Sequence, residues 1–328
     1  MEYRVQILDV GDADAIIIKY REQTNFRWIT AVIDAGNIGD GEKVKNYIDI
    51  YNGKRVIDYA FCTHPDKDHK GGFFDLLEDT SVVIKKMYLM DPCCCLKISD
   101  FPGIADKELA RKIARLPFNH PDNPSKNLIN IAKAKGNFFQ ASSDIRCPEL
   151  PLYILGPTND FCRVATLGMI QNFTEITEDS DYYSYKEQDD LLEEEAKSVI
   201  DEDDDDSYSN MLSLVLLFVP GEDKFLLTGD ANCSSLEEVI SRNRGNLENC
   251  ILKVPHHGSK HNLNTKIIDM LKPQSAVISA KGSRKHPSTG IVYWLSKYCN
   301  VYSTHKSGDL TYSSEPARYP AVPLKKKI

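Results

Sequence analysis

The sequence predicts an α/β fold whose strands end in loops rich in metal-ligating side chains. Two observations carry this prediction: apolar runs of strand length alternate with helix-like stretches, and three of the runs end in histidine or aspartate. The loops after these three runs are His64-Pro65-Asp66-Lys67-Asp68-His69, Gly229-Asp230 and His256-His257-Gly258-Ser259. Binding sites of α/β folds form at such strand ends, so we expect the three loops to meet at one site.

The first part of the chain supplies the strands that lead to the first loop. Early strands are predicted over residues 5–8, 15–18 and 28–33, a helix over 41–51, and a buried strand over 56–62. Gly71-Gly72 predicts a tight turn into a helix over residues 72–78, and a further strand is predicted over 82–90.

Residues 91–148 have a less regular pattern. Helices are predicted over 105–116 and 125–135, with Ser125 as the N-cap of the second. We interpret this region as a lid or a substrate-selecting insertion.

The second part of the chain returns to a regular alternation. A strand is predicted over residues 151–157, and a hairpin joins strands over 211–219 and 224–228. The remaining predicted elements are helices over 234–244, 263–271 and 289–297 and strands over 275–280, 300–304 and 310–313.

Charge is distributed unevenly along the 328 residues, whose net charge is −8. Residues 175–206 hold sixteen acidic residues and two lysines (net −14), which leaves 38 basic and 32 acidic residues (net +6) elsewhere. The acidic segment is too polar to fold alone, and we interpret it as a mobile loop. The alternative is a mimic of nucleic acid that competes with substrate for a basic groove.

Cysteine usage and hydropathy indicate the compartment. The nine cysteines are an odd number, and the adjacent Cys93, Cys94 and Cys95 lack the CxxC spacing of a metal site. No apolar run is long enough to span a membrane, and the N-terminus lacks the pattern of a signal peptide. We therefore expect a cytoplasmic protein without a membrane partner.

The first loop is the strongest indication of function. Two histidines and two aspartates lie within six residues, from His64 to His69, and this mixture of ligands suits zinc, manganese or iron. The ordinary alternative is a solvated polar loop, which the two further ligand-bearing strand ends make less convincing. Asp66 and Asp68 could also cap the following helix, a role compatible with metal binding.

Together these motifs resemble the metallo-β-lactamase superfamily, and within it the hydrolase domain of the DNA-uptake protein ComEC. Besides the three loops, the matching segments are Leu8-Asp9-Val10-Gly11 with Asp14-Ala15, Ile33-Asp34-Ala35-Gly36, Asn210 to Leu216, and His286-Pro287. The resemblance implies a four-layer αββα sandwich formed by a single domain over residues 1–328, with the metal ions held by loops at one sheet edge.

The resemblance also implies the ligands. His64, Asp66 and Asp230 would hold one ion, and Asp68, His69, Asp230 and His256 the other, with Asp230 bridging. His257 could replace His256 as a ligand or support the ligands from behind, and we rank His256 first from its place in the motif. Asp68 could also orient the attacking water.

The chain departs from the family pattern at three places, one of which is Gly11-Asp12-Ala13-Asp14, where the ComEC-like branch usually has Gly-Gln-Gly-Asp. Asp66 stands where a histidine is usual, as in the ComEC-like branch, and this shifts metal preference toward manganese or magnesium. The usual histidine between the first loop and Gly229-Asp230 has no counterpart. Asn210 lies near its expected place but is a poor ligand, so one metal position could be weak or empty.

Four further residues could serve the substrate. His286 could bind the scissile phosphate or protonate the leaving oxygen, or it could simply precede Pro287 at the start of a helix. Ser259, Lys281 and Arg284 are candidate phosphate contacts.

These features predict a hydrolase with one or two divalent ions, zinc or manganese, that cleaves phosphodiesters of DNA or RNA through a metal-activated water. One alternative is a hydrolase of a small substrate such as a lactone, thioester or cyclic nucleotide. Another is a catalytically weakened binding or regulatory module. Nucleic acid is the expected partner, and a protein partner in a multi-gene system is conceivable.

Overall fold

The structure is a computed structural model that describes residues 1–22, 27–101, 104–171, 193–201, 205, 207–283, 286–315 and 321–328. The strands of the described residues are β1 (Glu2–Ile7), β2 (Ala15–Arg21), β3 (Ile29–Ala35), β4 (Ile50–Tyr51), β5 (Lys54–Cys62), β6 (Val82–Leu89), β7 (Asn119–His120), β8 (Asn123–Asn127), β9 (Phe138–Gln140), β10 (Leu152–Gly156), β11 (Val215–Phe218), β12 (Phe225–Leu227), β13 (Ile251–Lys253), β14 (Ser275–Ile278), β15 (Asn300–Ser303) and β16 (Leu310–Ser313).

The α-helices of the described residues are α1 (Gly41–Asn46), α2 (Lys67–Glu78), α3 (Ile104–Arg115), α4 (Leu128–Ala134), α5 (Asn159–Gln171), α6 (Glu193–Asp201), α7 (Tyr208–Met211), α8 (Cys233–Arg242), α9 (Thr265–Leu271), α10 (Thr289–Ser296) and α11 (Thr304–Ser307). Short 3₁₀ turns occur at Pro92–Cys94, Ile98–Asp100, Leu116–Phe118 and His256–Gly258.

Two sheets form the centre of the molecule. The first has the order β16-β1-β2-β3-β5-β6-β9, with β4 paired to β5. The second has the order β10-β11-β12-β13-β14-β15, in which β12 to β15 are parallel. The strands β5, β12 and β13 thus lead into the three ligand-bearing loops.

Three apolar cores show the layer order. Phe61 and Tyr88 of the first sheet share one core with Phe218 and Phe225 of the second, so the sheets face each other. A second core joins the outer face of the first sheet to α1, α2 and α4, and a third joins the second sheet to α8, α9 and α10. The arrangement is helix, sheet, sheet, helix, which confirms the αββα sandwich.

Several predicted boundaries are wrong. The helix of the first loop begins at Lys67 and contains Gly71 and Gly72, which therefore make no turn. The strand predicted over 211–219 is shorter, since Met211 ends α7 and β11 begins at Val215. Ser125 lies in β8, and the N-cap of α4 is Asn127, whose side chain accepts a hydrogen bond from the backbone N–H of Asn130.

Part of the region interpreted as a lid, residues 91–148, belongs to the sandwich. Strand β9 pairs in parallel with β6 at the edge of the first sheet. Leu128, Ile129 and Ala132 of α4 are buried in the core beside that sheet. Residues 128–140 are thus a layer of the fold rather than a cover over it.

The acidic segment also contains ordered structure. Helix α6 packs against α10, and Ala196 and Ile200 are buried. The mobile-loop interpretation is therefore wrong for residues 193–201, whose few apolar side chains find a partner surface on the second sheet's helices. Residues 175–192, 202–204 and 206 lie outside the described residues.

None of the helices in the described part of the chain has the length and apolar character needed to cross a bilayer.

Candidate metal centre

The first ligand loop sits where β5 ends and α2 begins. Asp66 is the N-cap of α2 with extended backbone, but its side chain makes no capping hydrogen bond. Asp68 lies in the first turn of the helix, where negative charge is favoured. The carboxylate of Asp66 is therefore not used for capping and remains available as a ligand.

Gly71 and Gly72 let α2 approach the end of β3. A Cβ atom on Gly72 would lie 2.1 Å from the carbonyl oxygen of Ala35, and one on Gly71 would lie 2.4 Å from backbone atoms of Asn37 and Ile38. The backbone N–H of Gly72 donates to the Gly36 carbonyl at 3.1 Å. The close contact between α2 and the end of β3 therefore sets the position of the helix and of the candidate ligands on its first turn.

Four side chains from three loops converge at the sheet edge. One ligand atom from each of Asp68, His69, Asp230 and His257 lies within 4.8 Å of all the others. The Nε2 atom of His69 is 3.2 Å from Asp230 Oδ1 and 3.5 Å from Asp68 Oδ2, and Nε2 of His257 is 3.0 Å from Asp68 Oδ2. The three loops therefore do meet at one site.

His64 and Asp66 form a second group beside this cluster. His64 Nε2 lies 3.1 Å from Asp66 Oδ2, and the rings of His64 and His69 are 5.3 Å apart. The side chain of His64 is fully buried, whereas that of Asp66 is 51% exposed. Asp66 thus lies at the open side of the site.

The residues present fit a divalent metal ion. Among the buried side-chain atoms of the described residues, His64 Nε2, His69 Nε2 and Asp230 Oδ1 lie near polar atoms but make no hydrogen bond of good geometry. A buried polar atom without a partner is costly, and metal coordination is one way to satisfy it. Imidazole nitrogen together with carboxylate oxygen is a ligand set for zinc, manganese or iron.

The other nitrogen of each ring is held from behind. His69 Nδ1 lies 2.9 Å from Asp34 Oδ2, His257 Nδ1 lies 2.9 Å from the Ser279 carbonyl oxygen, and His64 Nδ1 lies 3.1 Å from Ser213 Oγ. Such contacts orient metal-binding histidines and present Nε2 to the ion.

Electrostatic coupling within the cluster is strong. Burial alone would raise the pKa of Asp230, but the charges of His69 and His256 outweigh it and hold that pKa well below its usual value. Burial lowers the pKa of His69, yet the carboxylates of Asp230 and Asp34 raise it well above the ordinary histidine value. Asp230 therefore stays ionised, and a metal ion bound by the ring nitrogens would displace protons from the histidines.

The two adjacent histidines take different places. His257 is in the four-residue cluster and is 3% exposed, whereas His256 is not in it, and its ring lies 6.0 Å from that of His257 and 5.6 Å from that of His286. The structure thus places His257 rather than His256 in the group of four, and both residues stay candidate ligands. Both residues have positive φ, 45° and 54°, a conformation that is costly for a histidine and that often occurs at functional sites.

Asn210 is not among the ligand atoms of the cluster. It is buried in α7 and its side-chain amide donates to Asp205. Ser213, three residues later, is the residue of this segment that reaches the metal centre, through His64.

The four candidate substrate residues lie in different surroundings. The ring of His286 is 5.6 Å from that of His256, so it lies at the edge of the centre. Ser259 is buried, and its Oγ accepts from the backbone N–H of His261 at 3.3 Å. Lys281 is exposed, and its backbone N–H donates to Asp12 Oδ1 at 2.8 Å. Arg284 lies outside the described residues.

Two supporting carboxylates received no role in the sequence analysis. Asp34 accepts hydrogen bonds from the backbone N–H of Thr63 at 2.7 Å and its hydroxyl at 2.6 Å, in addition to contacting His69. Asp14 forms a buried ion pair with Lys253 at 2.8 Å. The sequence did hold a signal for these contacts, because Asp34 and Lys253 are charged residues inside apolar runs. A charge in such a run is expected to have a buried partner.

Two bacterial proteins are among the sequence relatives of this chain. ComE operon protein 3 of Bacillus subtilis (strain 168) is 33% identical over 106 residues, which cover 31% of this chain and 14% of that protein. Recombination protein 2 of Haemophilus influenzae is 32% identical over 104 residues, which cover 31% of this chain and 13% of that protein. The resemblance to ComEC-related proteins is confirmed over this part of the chain. The match takes up only a small share of either relative.

Solved structures of low sequence identity are also similar. A metal-dependent hydrolase of the β-lactamase superfamily has a TM-score of 0.44 and 11% identity, covering 95% of this chain and 100% of that chain. A metallo hydrolase from the archaeon Ignicoccus hospitalis has a TM-score of 0.40 and 11% identity, covering 94% of this chain and 98% of that chain. No family model matches the chain.

Proposed function

We propose that the protein is a metal-dependent hydrolase and that its substrate is a phosphodiester of DNA or RNA. The observation that carries the proposal is the convergence of Asp68, His69, Asp230 and His257 beside His64 and Asp66. The first four would hold one ion, and His64 and Asp66 would hold a second with a share in Asp230. Divalent ions in such a site generate a nucleophile from water near neutral pH and stabilise negative charge on the reacting group.

The protein's own side chains have distinct tasks in this reaction. Asp68 contacts Nε2 of both His69 and His257, so it fixes the separation between helix α2 and the loop after β13. The ring of His286 lies at the edge of the centre and would deliver a proton to the leaving oxygen or bind the phosphate. Ser259, Lys281 and Arg284 remain candidate phosphate contacts.

Two features favour nucleic acid over a small ester. The relatives in sequence are ComEC-related proteins, and this sequence resembles the ComEC-like branch in having Asp66 within its first metal motif. Outside residues 175–206 the chain has a net charge of +6, which suits a polyanionic substrate. Zinc and manganese are both compatible with the ligand types, and manganese is favoured by the oxygen-rich set.

The cysteine side chains support a proposal about the cellular compartment. All nine cysteines are free, and eight of them are buried. Free thiols persist in a reducing compartment, which supports a cytoplasmic location. A protein partner from the same gene cluster is a further proposal, which co-purification would test.

The test is cleavage of labelled single-stranded DNA, duplex DNA and RNA by the full chain with added Mn²⁺ or Zn²⁺. The variant is Asp68→Ala, and the matched control is Asp122→Ala, which removes an exposed carboxylate. Cleavage that requires metal, persists in the control and disappears in Asp68→Ala supports the proposal. Bound metal without cleavage of any nucleic acid would redirect the search to lactones, thioesters and cyclic nucleotides. Failure to bind metal would indicate a binding or regulatory module.

A further inference from the structure

The end of the acidic segment is bonded to the loops of the metal centre. The backbone N–H of Asp205 donates to the His261 carbonyl oxygen at 3.0 Å, and its own carbonyl accepts from Asn232 Nδ2 at 2.8 Å. Its carboxylate accepts from the backbone N–H of Ser207 at 2.8 Å, from Asn262 Nδ2 at 3.1 Å and from Asn210 Nδ2. Asp205 is thus held as an acceptor at a defined place beside Asn262.

The orientation of the Asn262 amide follows from its partners. The side chain is fully buried, and Nδ2 lies 3.1 Å from both Asp205 Oδ2 and the carbonyl oxygen of Asp230. A carboxylate and a backbone carbonyl only accept hydrogen bonds, so the group that faces them must be the NH₂ of the amide. The oxygen of the amide, Oδ1, must then point the other way.

That oxygen faces His256. The distance between Asn262 Oδ1 and His256 Nδ1 is 2.9 Å. An amide oxygen carries no proton, so the hydrogen bond exists only if Nδ1 of His256 is the donor. In the neutral ring Nε2 is then unprotonated and can accept a proton or bind a cation.

We propose that Asn262, oriented by Asp205 of the acidic segment, is a positioning residue that fixes His256 as the Nδ1-protonated tautomer, so that Nε2 serves the metal centre as an acceptor. The ring of His256 lies 6.0 Å from that of His257, and its backbone N–H donates to the Gly229 carbonyl, next to Asp230, at 3.3 Å. The use of that nitrogen in catalysis rests on the hydrolase function proposed above, whereas the tautomer itself does not.

A neighbouring aspartate provides a matched control. Asp201 belongs to the same acidic segment and holds the same loop, because its carboxylate accepts from the backbone N–H of Thr265 at 3.0 Å and from its hydroxyl at 2.9 Å. In the described part of the chain, the carboxylate of Asp201 bonds to Thr265 and not to Asn262. Replacing Asp201 therefore removes the hydrogen bonds to Thr265 but keeps Asp205, the acceptor that orients the amide of Asn262.

The direct test is ¹⁵N NMR of histidine-labelled, metal-free protein at alkaline pH, with the His256 signals assigned by their loss in His256→Gln. The expected wild-type spectrum shows a protonated Nδ1 and an unprotonated Nε2 for this ring. The opposite tautomer in the wild-type protein would overturn the proposal without any variant, and independently of whether the protein cleaves nucleic acid.

The variants separate the two supporting residues. Asn262→Leu keeps the size of the side chain and should give a mixture of the two His256 tautomers. Asp205→Ala should change the tautomer ratio in the same direction but less, because the Asp230 carbonyl still holds the Asn262 amide. Asp201→Ala should leave the spectrum unchanged. An unchanged tautomer in both Asn262→Leu and Asp205→Ala would show that neither residue sets it.

Metal affinity supplies a second measurement. Residues behind metal ligands typically change affinity by about 10- to 100-fold when removed. We expect Mn²⁺ binding, followed by EPR titration, to weaken about tenfold in Asn262→Leu and to stay at the wild-type level in Asp201→Ala. Equal weakening in the two variants would indicate that only general loosening of the loop matters, and would overturn the specific role of Asn262.

Discussion

The ammonium group of Lys253 lies 2.8 Å from the carboxylate of Asp14, and each side chain is only 1% exposed. The pair adjoins the metal centre, because the backbone N–H of Asp14 donates to the Asp68 carbonyl at 3.1 Å and Asp14 Oδ1 lies 3.8 Å from His257 Nδ1. A buried ion pair contributes little net stability, but the loss of one partner leaves an unpaired charge. Lys253 and Asp14 therefore join the two sheets behind the ligands.

Removal of one member of this pair should destabilise the protein strongly. We expect Lys253→Met to lower the free energy of unfolding by about 3–5 kcal/mol, measured by urea denaturation, because Asp14 stays buried without its partner. The double variant Lys253→Met/Asp14→Asn should recover much of the loss. Lys266→Met, at a lysine that is 65% exposed, is the control and should change stability by at most about 0.5 kcal/mol. A single Lys253→Met change as mild as this control would contradict the interpretation.

Metal binding should stabilise the folded protein by mass action. At a free Mn²⁺ concentration one hundred times the dissociation constant, the gain in free energy of unfolding should be about 2.7 kcal/mol. Asp230→Asn should abolish most of this gain, because Asp230 is part of the cluster and touches His69. Thermal unfolding with and without EDTA measures the effect. A gain of equal size in wild type and Asp230→Asn would place the metal elsewhere.

Asp91 gives a pH-dependent prediction away from the metal centre. Burial alone would raise the pKa of this carboxyl, but its hydrogen bonds with Arg115 and Lys133 outweigh burial and hold the pKa below its usual value. Because the folded pKa is depressed, the stabilisation is complete above the unfolded pKa of about 3.9 and is lost as pH falls through the lower folded pKa.

The difference in unfolding free energy between wild type and Asp91→Ala measures this contribution. It should be about 1.5–3 kcal/mol at neutral pH, because Asp91 is fully buried and its hydrogen bonds are charged, whereas Arg115 and Lys133 keep contact with solvent; it should shrink below about pH 4. Asp122→Ala, at an exposed aspartate, is the control and should show no such slope. If the difference in unfolding free energy between wild type and Asp91→Ala grew as the pH fell, the prediction would be wrong.

The fold was largely predictable because its signals are local. Apolar runs such as residues 56–62 and 249–255 are continuous in sequence, and each became a strand that leads into a ligand loop. Helix α6 was missed because its stability comes from packing on α10, a surface almost one hundred residues further along the chain. Composition alone describes a segment as polar without showing where its few apolar side chains dock.

The grouping of the candidate ligands was predictable from the sequence, but the side chains that contact them from behind were not. His64, Asp68, His69 and Asp230 are marked by spacing within short motifs. His257 lies in the group of four and His256 outside it, with positive φ at both residues, a backbone conformation that the motif does not encode. Asp34 and Ser213 reach the ring nitrogens of His69 and His64 only through the packing of distant segments. Tertiary contacts of this kind produce no recognisable pattern in a single sequence.

The glycine pair of helix α2 makes the last prediction. Gly72→Ala would place a Cβ atom 2.1 Å from the backbone oxygen of Ala35, and backbone cannot rotate away as a flexible side chain can. We expect a loss of about 1–3 kcal/mol in unfolding free energy, the usual cost of overpacking, although alanine favours helices over glycine. Because α2 carries Asp68 and His69, Mn²⁺ affinity should fall as well. Lys67→Ala, on the exposed first residue of the same helix, should change neither quantity appreciably. Increased stability in Gly72→Ala would show that helix propensity outweighs the contact with Ala35 and that the position of α2 is not set there.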